Sequence, residues 1–428
     1  MGLLSKSATP RHICMGVLYN IGIKLYDCGI TLASYYNAKA RLLRKGRKGL
    51  LRHIEECMAG RRSGKVVWIH AASLGEFEQG RPIIERIKRD MPNASVVVTF
   101  FSPSGYEIRK NYPLANHIFY LPSDTPSHVR RFLDAVRPDV AIFIKYEFWL
   151  NYLSELHRRN IPTYLISAIF RPTQIHFRPW GKLWRHALEY YNTIFVQDEA
   201  SKHLLEGVGY TRTIVAGDTR FDRVAEIAKN AKRIPIIEQF AAEAPLFVAG
   251  STWGKDEELL IELINAHPDI RYVVAPHEMN EARMQHLERS IHNGVMRYTQ
   301  TDETSDFSLT QVLILDTIGL LSSAYSYARW AYIGGGFGVG IHNTLEAATF
   351  GLPIAFGPNY HKFREARELI ECGAAASVTS AAELMTWFAT IKEEGDALQK
   401  ASSSALNYTK EHCGATETII GHIFSERD

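Results

Sequence analysis

Short apolar segments alternate with longer amphipathic segments along most of this 428-residue chain. A strand that is apolar on both faces must be covered on both sides, and parallel strands need helical crossover connections that supply this cover. The alternation therefore predicts an α/β fold built on buried parallel sheets. The predicted strands are 66–70, 95–101, 117–121, 140–145, 163–167, 193–196 and 213–216, followed by 246–249, 272–275, 312–315, 330–333, 353–356 and 374–378.

A polar, helix-forming stretch at 222–244 separates these strands into two series. Two doubly wound domains of similar size predict a deep cleft between them, with ligands at the carboxyl ends of the strands. We therefore predict three parts, which are an N-terminal segment (1–52), a first Rossmann-like domain (53–222) and a second one that includes the C-terminal helices (223–428).

The front of the chain is basic, whereas the remainder is not. Residues 1–65 contain 13 Lys and Arg but three acidic residues, although the net charge of the whole chain is only +3. A nucleic-acid-binding protein is normally basic over its folded body, so nucleic acid is not a predicted partner. The basic segment instead indicates an anionic partner for the N-terminal part.

Residues 13–38 have the pattern of an amphipathic helix. Polar residues recur every three or four positions on one face, and they are Asn20, Lys24, Asp27, Thr31 and Ser34. The opposite face is apolar and comprises Val17, Ile21, Leu25, Cys28, Leu32 and Tyr35. A basic run at 39–52 follows, and this combination is typical of a protein on an anionic membrane surface. The alternative is a helix that packs on the protein's own body with a solvated basic face.

The loop after the first predicted strand, residues 70–78 (HAASLGEFE), places a carboxylate near the start of a helix. At the carboxyl end of a strand, Glu76 is in position to act as a general base toward a hydroxyl group. The alternative is that Glu76 only complements the partial charge of the helix N-terminus. The loop also partly matches the nucleophile elbow of serine hydrolases around Ser73, but Ala71 replaces the first glycine of that motif.

A glycine-rich segment at 334–340 follows a strand of the second series and precedes a predicted helix. Glycines allow close approach to the backbone, and the amides at the start of a helix suit a phosphate. The spacing does not match GxGxxG, and a plain tight turn is the alternative. Asn343 and Glu346 are three residues apart, so both can reach one ribose; for Glu346, a helix-terminal charge is the alternative.

Arg220, within residues 217–222 (GDTRFD), provides a cation at the end of the first domain. Such a cation can neutralise a leaving phosphate, and the alternative is an ion pair with Asp218 or Asp222. Residues 277–281 (HEMNE) do not match HExxH, and no DxD motif is present, so we predict neither a metal ion nor a cofactor.

Six motifs, taken together and in order, resemble the 3-deoxy-D-manno-octulosonic acid (Kdo) transferases of lipopolysaccharide assembly, and the likeness runs from residue 18 to about residue 375. The motifs are residues 68–76, 102–105, 146–149, 217–222, 275–277 and 342–346. The resemblance implies a GT-B architecture with two facing Rossmann-like domains and a C-terminal helix that crosses back. It also implies an inverting transfer of Kdo from CMP-Kdo to a lipid A precursor, lipid IVA, at the cytoplasmic face of the inner membrane of a Gram-negative bacterium.

The resemblance also implies roles for individual residues. Glu76 would be the general base, and Glu147 and Arg220 would support the transition state. The first domain would bind the acceptor, and the second would bind the CMP-sugar. The residues implied to contact CMP are Pro276, His277, Ile318, Gly319, Leu320, Asn343, Thr344, Leu345 and Glu346.

The chain departs from the family pattern at three points. Arg220 stands where a lysine is usual, which keeps the charge but changes its geometry. His277 stands where an arginine is usual, and the segment between the glycines and Asn343 is one residue shorter than expected. Three other functions are compatible with the motifs, namely another GT-B enzyme that uses a UDP-sugar (a glycosyltransferase or an epimerase), a serine hydrolase acting through Ser73, and a sugar-binding scaffold on a membrane surface.

Overall fold

The computed structural model describes residues 10–60 and 64–424, and it describes side chains from residue 16 onward within these ranges. The chain forms two compact units. The first comprises Met1–Asp222 together with Gly414–Asp428, and the second comprises Arg223–Cys413.

The first unit contains a seven-stranded sheet in which all neighbouring strands are parallel. Its strands are β1 (Val66–Ala71), β2 (Ser95–Phe100), β3 (His117–Tyr120), β4 (Val140–Ile144), β5 (Thr163–Ala168), β6 (Thr193–Val196) and β7 (Thr213–Val215). Their spatial order is β3-β2-β1-β4-β5-β6-β7, so the order reverses between β1 and β4. In a doubly wound sheet, this reversal point is where ligands bind.

Helices surround this sheet. They are α1 (Pro10–Ala33), α2 (Ala38–Arg47), α3 (Leu50–Met58), α4 (Leu74–Asp90), α5 (Pro103–Arg109), α6 (Pro126–Val136), α7 (Leu150–Arg158), α8 (Lys182–Leu188), α9 (Glu199–Glu206), α10 (Thr219–Lys229), which contains the point of division, and α19 (Ala415–Phe424). Successive residues of β1 belong to two different cores, with Trp68 in one and Val67 and Ile69 in the other. Both faces of the sheet are therefore buried, and each large apolar side chain contributes about 2 kcal/mol by its burial.

The second unit also contains a seven-stranded parallel sheet, in the order β10-β11-β9-β8-β12-β13-β14. Its strands are β8 (Leu246–Thr252), β9 (Arg271–Pro276), β10 (Gly294–Arg297), β11 (Thr310–Ile314), β12 (Trp330–Ile333), β13 (Ile354–Phe356) and β14 (Ala375–Ser377). Its helices are α11 (Pro235–Ala241), α12 (Gly254–Ala266), α13 (Glu281–Ser290), α14 (Leu321–Ala324), α15 (Leu345–Ala348), α16 (Arg364–Glu371), α17 (Ala381–Ile391) and α18 (Asp396–Glu411).

The predicted α/β class with two parallel sheets is confirmed, and every predicted strand is present. One strand, β10, was missed because it lies at the sheet edge and none of its four residues is fully buried. The C-terminal helix α19 lies in the first unit, although the predicted bounds assigned it to the second, and this agrees with the implied crossing back of the C-terminal helix. The reason is packing, since Ile419, Ile420 and Ile423 are buried in the core on one face of the first sheet.

Candidate functional site

The loops after β1 and β4 bring two candidate catalytic carboxylates to one edge of the first sheet. These strands are neighbours and parallel, so their carboxyl ends meet there. Glu76 lies in the first turn of α4, three residues after Ser73, and Glu147 lies in the loop between β4 and α7. The sheet order thus places the two acids at the reversal point.

Glu76 closes a capping box at the start of α4. Its Oε2 accepts hydrogen bonds from the Ser73 amide (2.8 Å) and the Ser73 hydroxyl (3.0 Å). Its Oε1 has no hydrogen-bond partner within the described part of the chain, so one oxygen is held in place and the other is available. Burial, followed by the nearby charge of Glu147, raises the pKa of Glu76 above its usual value, although the hydrogen bonds from Ser73 and the charge of Lys145 oppose this shift. A raised pKa suits a carboxylate that must accept a proton.

Glu147 is buried and belongs to a hydrogen-bonded chain. Its Oε2 accepts from Trp149 Nε1 and lies 3.0 Å from Nε2 of His70, which is fully buried. The other ring nitrogen of His70, Nδ1, lies 2.9 Å from the Thr99 hydroxyl. The chain Thr99–His70–Glu147 therefore links the ends of β2, β1 and the loop after β4, and it fixes the carboxylate that acts on the pKa of Glu76.

Glu147 also lines an aromatic cavity of about 610 Å³ in the first unit. The cavity is lined by Tyr19, Ile23, Tyr26, Phe101, Tyr146, Glu147, Phe148, Trp149, Gln174, Ile175, His176 and Trp184. His176 is 5% exposed, and neither of its ring nitrogens has a hydrogen-bond partner among the described residues. Burial and then the charge of Arg185 lower the pKa of His176 to about 4, so its imidazole is neutral at pH 7. The cavity thus presents apolar surface with two buried polar groups.

Arg220 forms an ion pair with Asp218, two positions earlier in the chain. Its Nε and Nη2 lie 2.9 and 2.7 Å from Oδ2 of Asp218, a buried carboxylate. This is the ion pair that was the alternative prediction to a role of Arg220 at a leaving phosphate. The adjacent Thr219 donates to the main-chain oxygen of Gln79 in α4 (2.5 Å), which anchors the 217–222 segment to the helix that carries Glu76.

Helix α1 packs on the first unit through its polar side. Tyr19 donates to Asp124 (2.6 Å), Asn20 accepts from Asn151 (2.8 Å), and Asp27 accepts from Ser123 (3.0 Å). The apolar side is exposed, with 48% or more of the residue accessible for Val17, Leu18, Ile21, Leu25, Leu32 and Tyr35. The amphipathic pattern is therefore oriented with its polar side inward and its apolar side outward. None of the described helices is long and apolar enough to cross a membrane.

In the second unit, His277 lies in a stack of three rings. Its imidazole is 4.8 Å from the Trp253 ring and 4.3 Å from the His342 ring, both at 26°. His277 follows Pro276 at the carboxyl end of β9, and Trp253 follows β8, the adjacent strand. Burial and then the nearby His277 lower the pKa of His342 to about 4. This stack lies at the carboxyl end of the second sheet, the end at which ligands bind in doubly wound folds.

Asn343 and Glu346 are brought together as their spacing predicted. Asn343 Nδ2 donates to Glu346 Oε1 (3.1 Å), and Ser322 donates to Glu346 Oε2 (2.6 Å). Ser322 lies in α14, the helix that directly follows the predicted residues Ile318, Gly319 and Leu320, so this helix contacts Glu346. The hydroxyl of Thr344 is buried without a partner in the described structure, and Leu345 is also buried.

The glycine-rich segment at 334–340 is closely packed against neighbouring backbone, which favours the interpretation that it is a tight turn. A Cβ at Gly336 would overlap the backbone of Gly357, and Gly335 has φ +92°, a conformation that favours glycine. Asp256 fixes the loop by accepting from the Gly335 amide (2.9 Å) and the Trp253 amide (2.8 Å). The helix that follows, α15, has only four residues, and the phosphate site stays a prediction.

Sequence reasoning missed several residues that organise these sites. They are His70, Thr99, Trp149, His176, Trp253, Asp256, Ser322 and His342 as a ring-stacking partner. Only His70 carried a local signal, since a histidine inside an apolar strand must find a buried partner. Within residues 10–60 and 64–424, no group of three His, Cys, Asp or Glu side chains is placed to hold a metal ion.

Comparisons with known proteins agree with the resemblance seen in the motifs. The family model of the 3-deoxy-D-manno-octulosonic-acid transferases (kdotransferase) matches residues 45–223. The 3-deoxy-D-manno-octulosonic acid transferase of Haemophilus influenzae is 26% identical, over 80% of this chain and 79% of the relative. The enzymes of that name from Bordetella pertussis (26% identical, 83% and 86% covered) and Chlamydia trachomatis (28% identical, 74% and 75% covered) match similarly.

Two solved structures illustrate the fold that this chain shares with known proteins. The UDP-GlcNAc 2-epimerase from Neisseria meningitidis, bound to UDP-GlcNAc, aligns with a TM-score of 0.58 at 15% identity and covers 84% of this chain and 100% of that chain. MurG from Acinetobacter baumannii aligns with a TM-score of 0.51 at 13% identity and covers 84% of this chain and 99% of that chain. At these identities the likeness shows the fold, which is that of the GT-B enzymes.

Proposed function

The chain is a homologue of the 3-deoxy-D-manno-octulosonic acid (Kdo) transferases and a glycosyltransferase with the GT-B fold, and on this premise we propose that it moves Kdo from CMP-Kdo to a lipid A precursor. The observation that carries this proposal is the geometry of Glu76. Its carboxylate stands at the carboxyl end of β1 with one oxygen held by Ser73, the other available, and a raised pKa.

The reaction we propose is a single displacement with inversion. Glu76 takes the proton of a sugar hydroxyl on the acceptor while that oxygen bonds to the anomeric carbon of Kdo. The bond between this carbon and the phosphate oxygen of CMP-Kdo breaks, and its electron pair leaves on CMP. Glu147, held by His70 and Trp149, keeps negative charge near the developing positive charge of the sugar, and Arg220 supplies a cation for the leaving phosphate, with its charge shared with Asp218.

The second unit supplies the donor site in this proposal. The Trp253–His277–His342 stack offers a face on which a pyrimidine base packs, and Glu346 with Asn343 offers acceptors and donors for a ribose. The buried and unpartnered hydroxyl of Thr344 is a further group that a ligand can satisfy. Pro276, Ile318, Gly319, Leu320 and Leu345 complete the predicted contacts with CMP.

We place the enzyme at an anionic membrane surface, at the cytoplasmic face of the inner membrane of a Gram-negative bacterium. The apolar side of α1 is exposed while its polar side is held by the protein, which is the orientation that a surface-binding helix requires. The basic residues of α2 follow directly and add electrostatic attraction to anionic lipids.

The test is the mass of the glycolipid product after incubation with CMP-Kdo, generated in situ, and a tetraacylated lipid A precursor. We expect the mass increase of added Kdo, and we expect Glu76→Gln to abolish it while CMP binding, measured by calorimetry, is retained. Ser73→Ala is the matched control in the same loop and should keep measurable transfer. A product without Kdo, or an inactive Ser73→Ala beside an active Glu76→Gln, would reject the proposal and favour the hydrolase.

The alternative of an enzyme that uses a UDP-sugar is separated by nucleotide preference. Calorimetric titration of the same protein with CMP and with UDP should show tighter binding of CMP. Tight binding of UDP without binding of CMP would favour a UDP-sugar glycosyltransferase or epimerase.

A further inference from the structure

A second cavity of the first unit, distinct from the aromatic one, is lined mainly by cations. It has a volume of about 850 Å³ and lies between α1 and α2. Five basic side chains line it, and the only carboxylate in its lining is Asp27. The basic residues are Arg41, Arg44, Lys45, Arg47 and Lys48. We call this cavity the basic pocket.

Most of this positive charge is not neutralised within the protein. Arg41 donates to the main-chain oxygens of Ser34 (3.1 Å) and Tyr35 (3.2 Å), and Arg44 donates to the Ser34 hydroxyl (3.1 Å). These acceptors are uncharged. Lys45 and Lys48 have no ion pair in the described ranges; the pKa of Glu107 is lowered mainly by its hydrogen bond from Lys110, and the charge of Lys45 adds only the last contribution. The pocket therefore keeps a large excess of positive charge.

Arg47 adds an unmet donor to the pocket. Its side chain is 14% exposed and contacts Asp27 (3.4 Å) and the Ser123 hydroxyl (3.3 Å), yet its Nε is buried without an acceptor in the described structure. Burial of a guanidinium with an unsatisfied N–H is unfavourable unless a ligand completes the site. An anion with several oxygens provides the acceptors that this set of donors lacks.

The basic pocket adjoins the aromatic cavity through two contacts. Arg47, which lines the basic pocket, lies over the ring of Phe101 (5.1 Å), which lines the aromatic cavity. Tyr26 stacks on the same Phe101 ring (6.0 Å) and precedes Asp27 in the chain. An anionic group in one cavity and an apolar or sugar group in the other can thus belong to one amphiphilic molecule.

We propose that the basic pocket binds a phosphomonoester of the acceptor glycolipid and orients the acceptor toward the edge where Glu76 and Glu147 lie. This proposal rests on the proposed function, because the acceptor is the phosphorylated molecule that the enzyme must hold. Arg41, Arg44 and the two lysines surround the phosphate oxygens, and the aromatic cavity takes the adjoining part of the same molecule.

The test compares binding of the phosphorylated lipid A precursor with binding of the same precursor after phosphatase treatment, both in neutral detergent micelles and without CMP-Kdo. The variant is Lys45→Gln/Lys48→Gln, because neither lysine donates a hydrogen bond within the described protein. The control is Arg52→Gln/Arg130→Gln, which removes two exposed charges of the same unit outside the pocket. We expect the Kd of the phosphorylated precursor to rise about tenfold in the variant and to stay within twofold in the control, with the dephosphorylated precursor unaffected.

Three results would overturn the proposal. The first is an equal loss in the control, which would mean a diffuse surface charge. The second is an unchanged Kd in micelles together with weaker binding to phosphatidylglycerol vesicles, which would assign the pocket to bilayer headgroups. The third is binding of inorganic phosphate as tight as that of the precursor. Because binding is measured without a donor, a failure of Kdo transfer would reject the proposed function and leave this test intact.

Discussion

Nε2 of His70, the fully buried histidine near the end of β1, lies 3.0 Å from Oε2 of Glu147. The contact joins two neighbouring parallel strands at the point where the sheet order reverses. It fixes the carboxylate of Glu147, whose charge acts on the pKa of Glu76. Burial is the main cause of the raised pKa of Glu76, and Glu147, more than seventy positions away in the chain, adds to it.

Removal of the Glu147 charge should move the acidic limb of the pH–rate profile. Glu76 must be ionised to accept a proton, so kcat/KM falls as the pH drops through its pKa. Glu147→Gln removes a charge that raises this pKa, so the limb should shift to lower pH, whatever the change in maximal rate. Glu78→Gln, a change on the same helix, should leave the limb in place, and an unmoved limb in Glu147→Gln would contradict the assignment of Glu76 as the base.

The parallel sheets could be predicted from sequence because their strands are apolar on both faces, as at Val140–Ile144, where all five residues are buried. The edge strand Gly294–Arg297 has no such pattern, since one of its residues is exposed and three are half-buried. Local periodicity does not predict the order of the strands in the sheet. This order makes β1 and β4 neighbours and thereby brings His70 into contact with Glu147.

Motif and spacing predicted the candidate residues, but they did not predict the groups that contact them. Glu346 and Asn343 are close because they are three positions apart at the start of a helical turn. Ser322, which completes the contacts of Glu346, and Trp253, which stacks on His277, come from other strands and loops. Such contacts depend on tertiary packing. The sequence therefore indicates which polar and aromatic side chains are present near the site, but not which of them contact each other.

The exposed apolar side of α1 should mediate membrane binding. Leu18, Leu25 and Leu32 are each 67% exposed and recur every seven residues on one side of the helix. Replacement of all three by Gln should reduce co-sedimentation with phosphatidylglycerol vesicles about tenfold or more, because each loses about 1–2 kcal/mol of apolar burial in the interface. The free energy of unfolding should change little, since these side chains contact solvent. Ile108→Gln, at an exposed isoleucine of α5, is the control, and unchanged sedimentation of the triple variant would refute the prediction.

Asp124 should be the main anchor of α1 on the first unit. This carboxylate is 1% exposed and accepts from Tyr19 (2.6 Å) and from the amides of Asn151 (3.1 Å) and Tyr152 (3.0 Å). Asp124→Ala leaves these donors unsatisfied and should lower the free energy of unfolding by about 3 kcal/mol, measured by urea denaturation. Burial raises the pKa of Asp124 to about 6, so its charge is costly at pH 7.

The conservative variant Asp124→Asn therefore provides the matching control. It keeps one acceptor oxygen and removes the buried charge, so its loss of stability should be smaller than that of Asp124→Ala. The pKa of Asp124 in the folded state is above its unfolded value of about 3.9, so the protonated carboxyl stabilises the folded state. This contribution to the free energy of unfolding is lost as the pH rises through 6. The difference in the free energy of unfolding between wild type and Asp124→Asn should thus shrink from pH 4 to pH 7. A difference that stays constant over this range would contradict this account.

Protonation of His342 should weaken the second unit at low pH. Burial and the neighbouring His277 lower the pKa of His342 to about 4, whereas the unfolded value is about 6.5. The neutral ring is therefore favoured in the folded state, and the stability it contributes is complete above pH 6.5 and lost as the pH falls from 6.5 to 4. His342→Gln should flatten this part of the curve of unfolding midpoint against pH, while His286→Gln, at an exposed histidine of α13, should not. An identical slope in wild type and His342→Gln would show that the stack tolerates the charged imidazole.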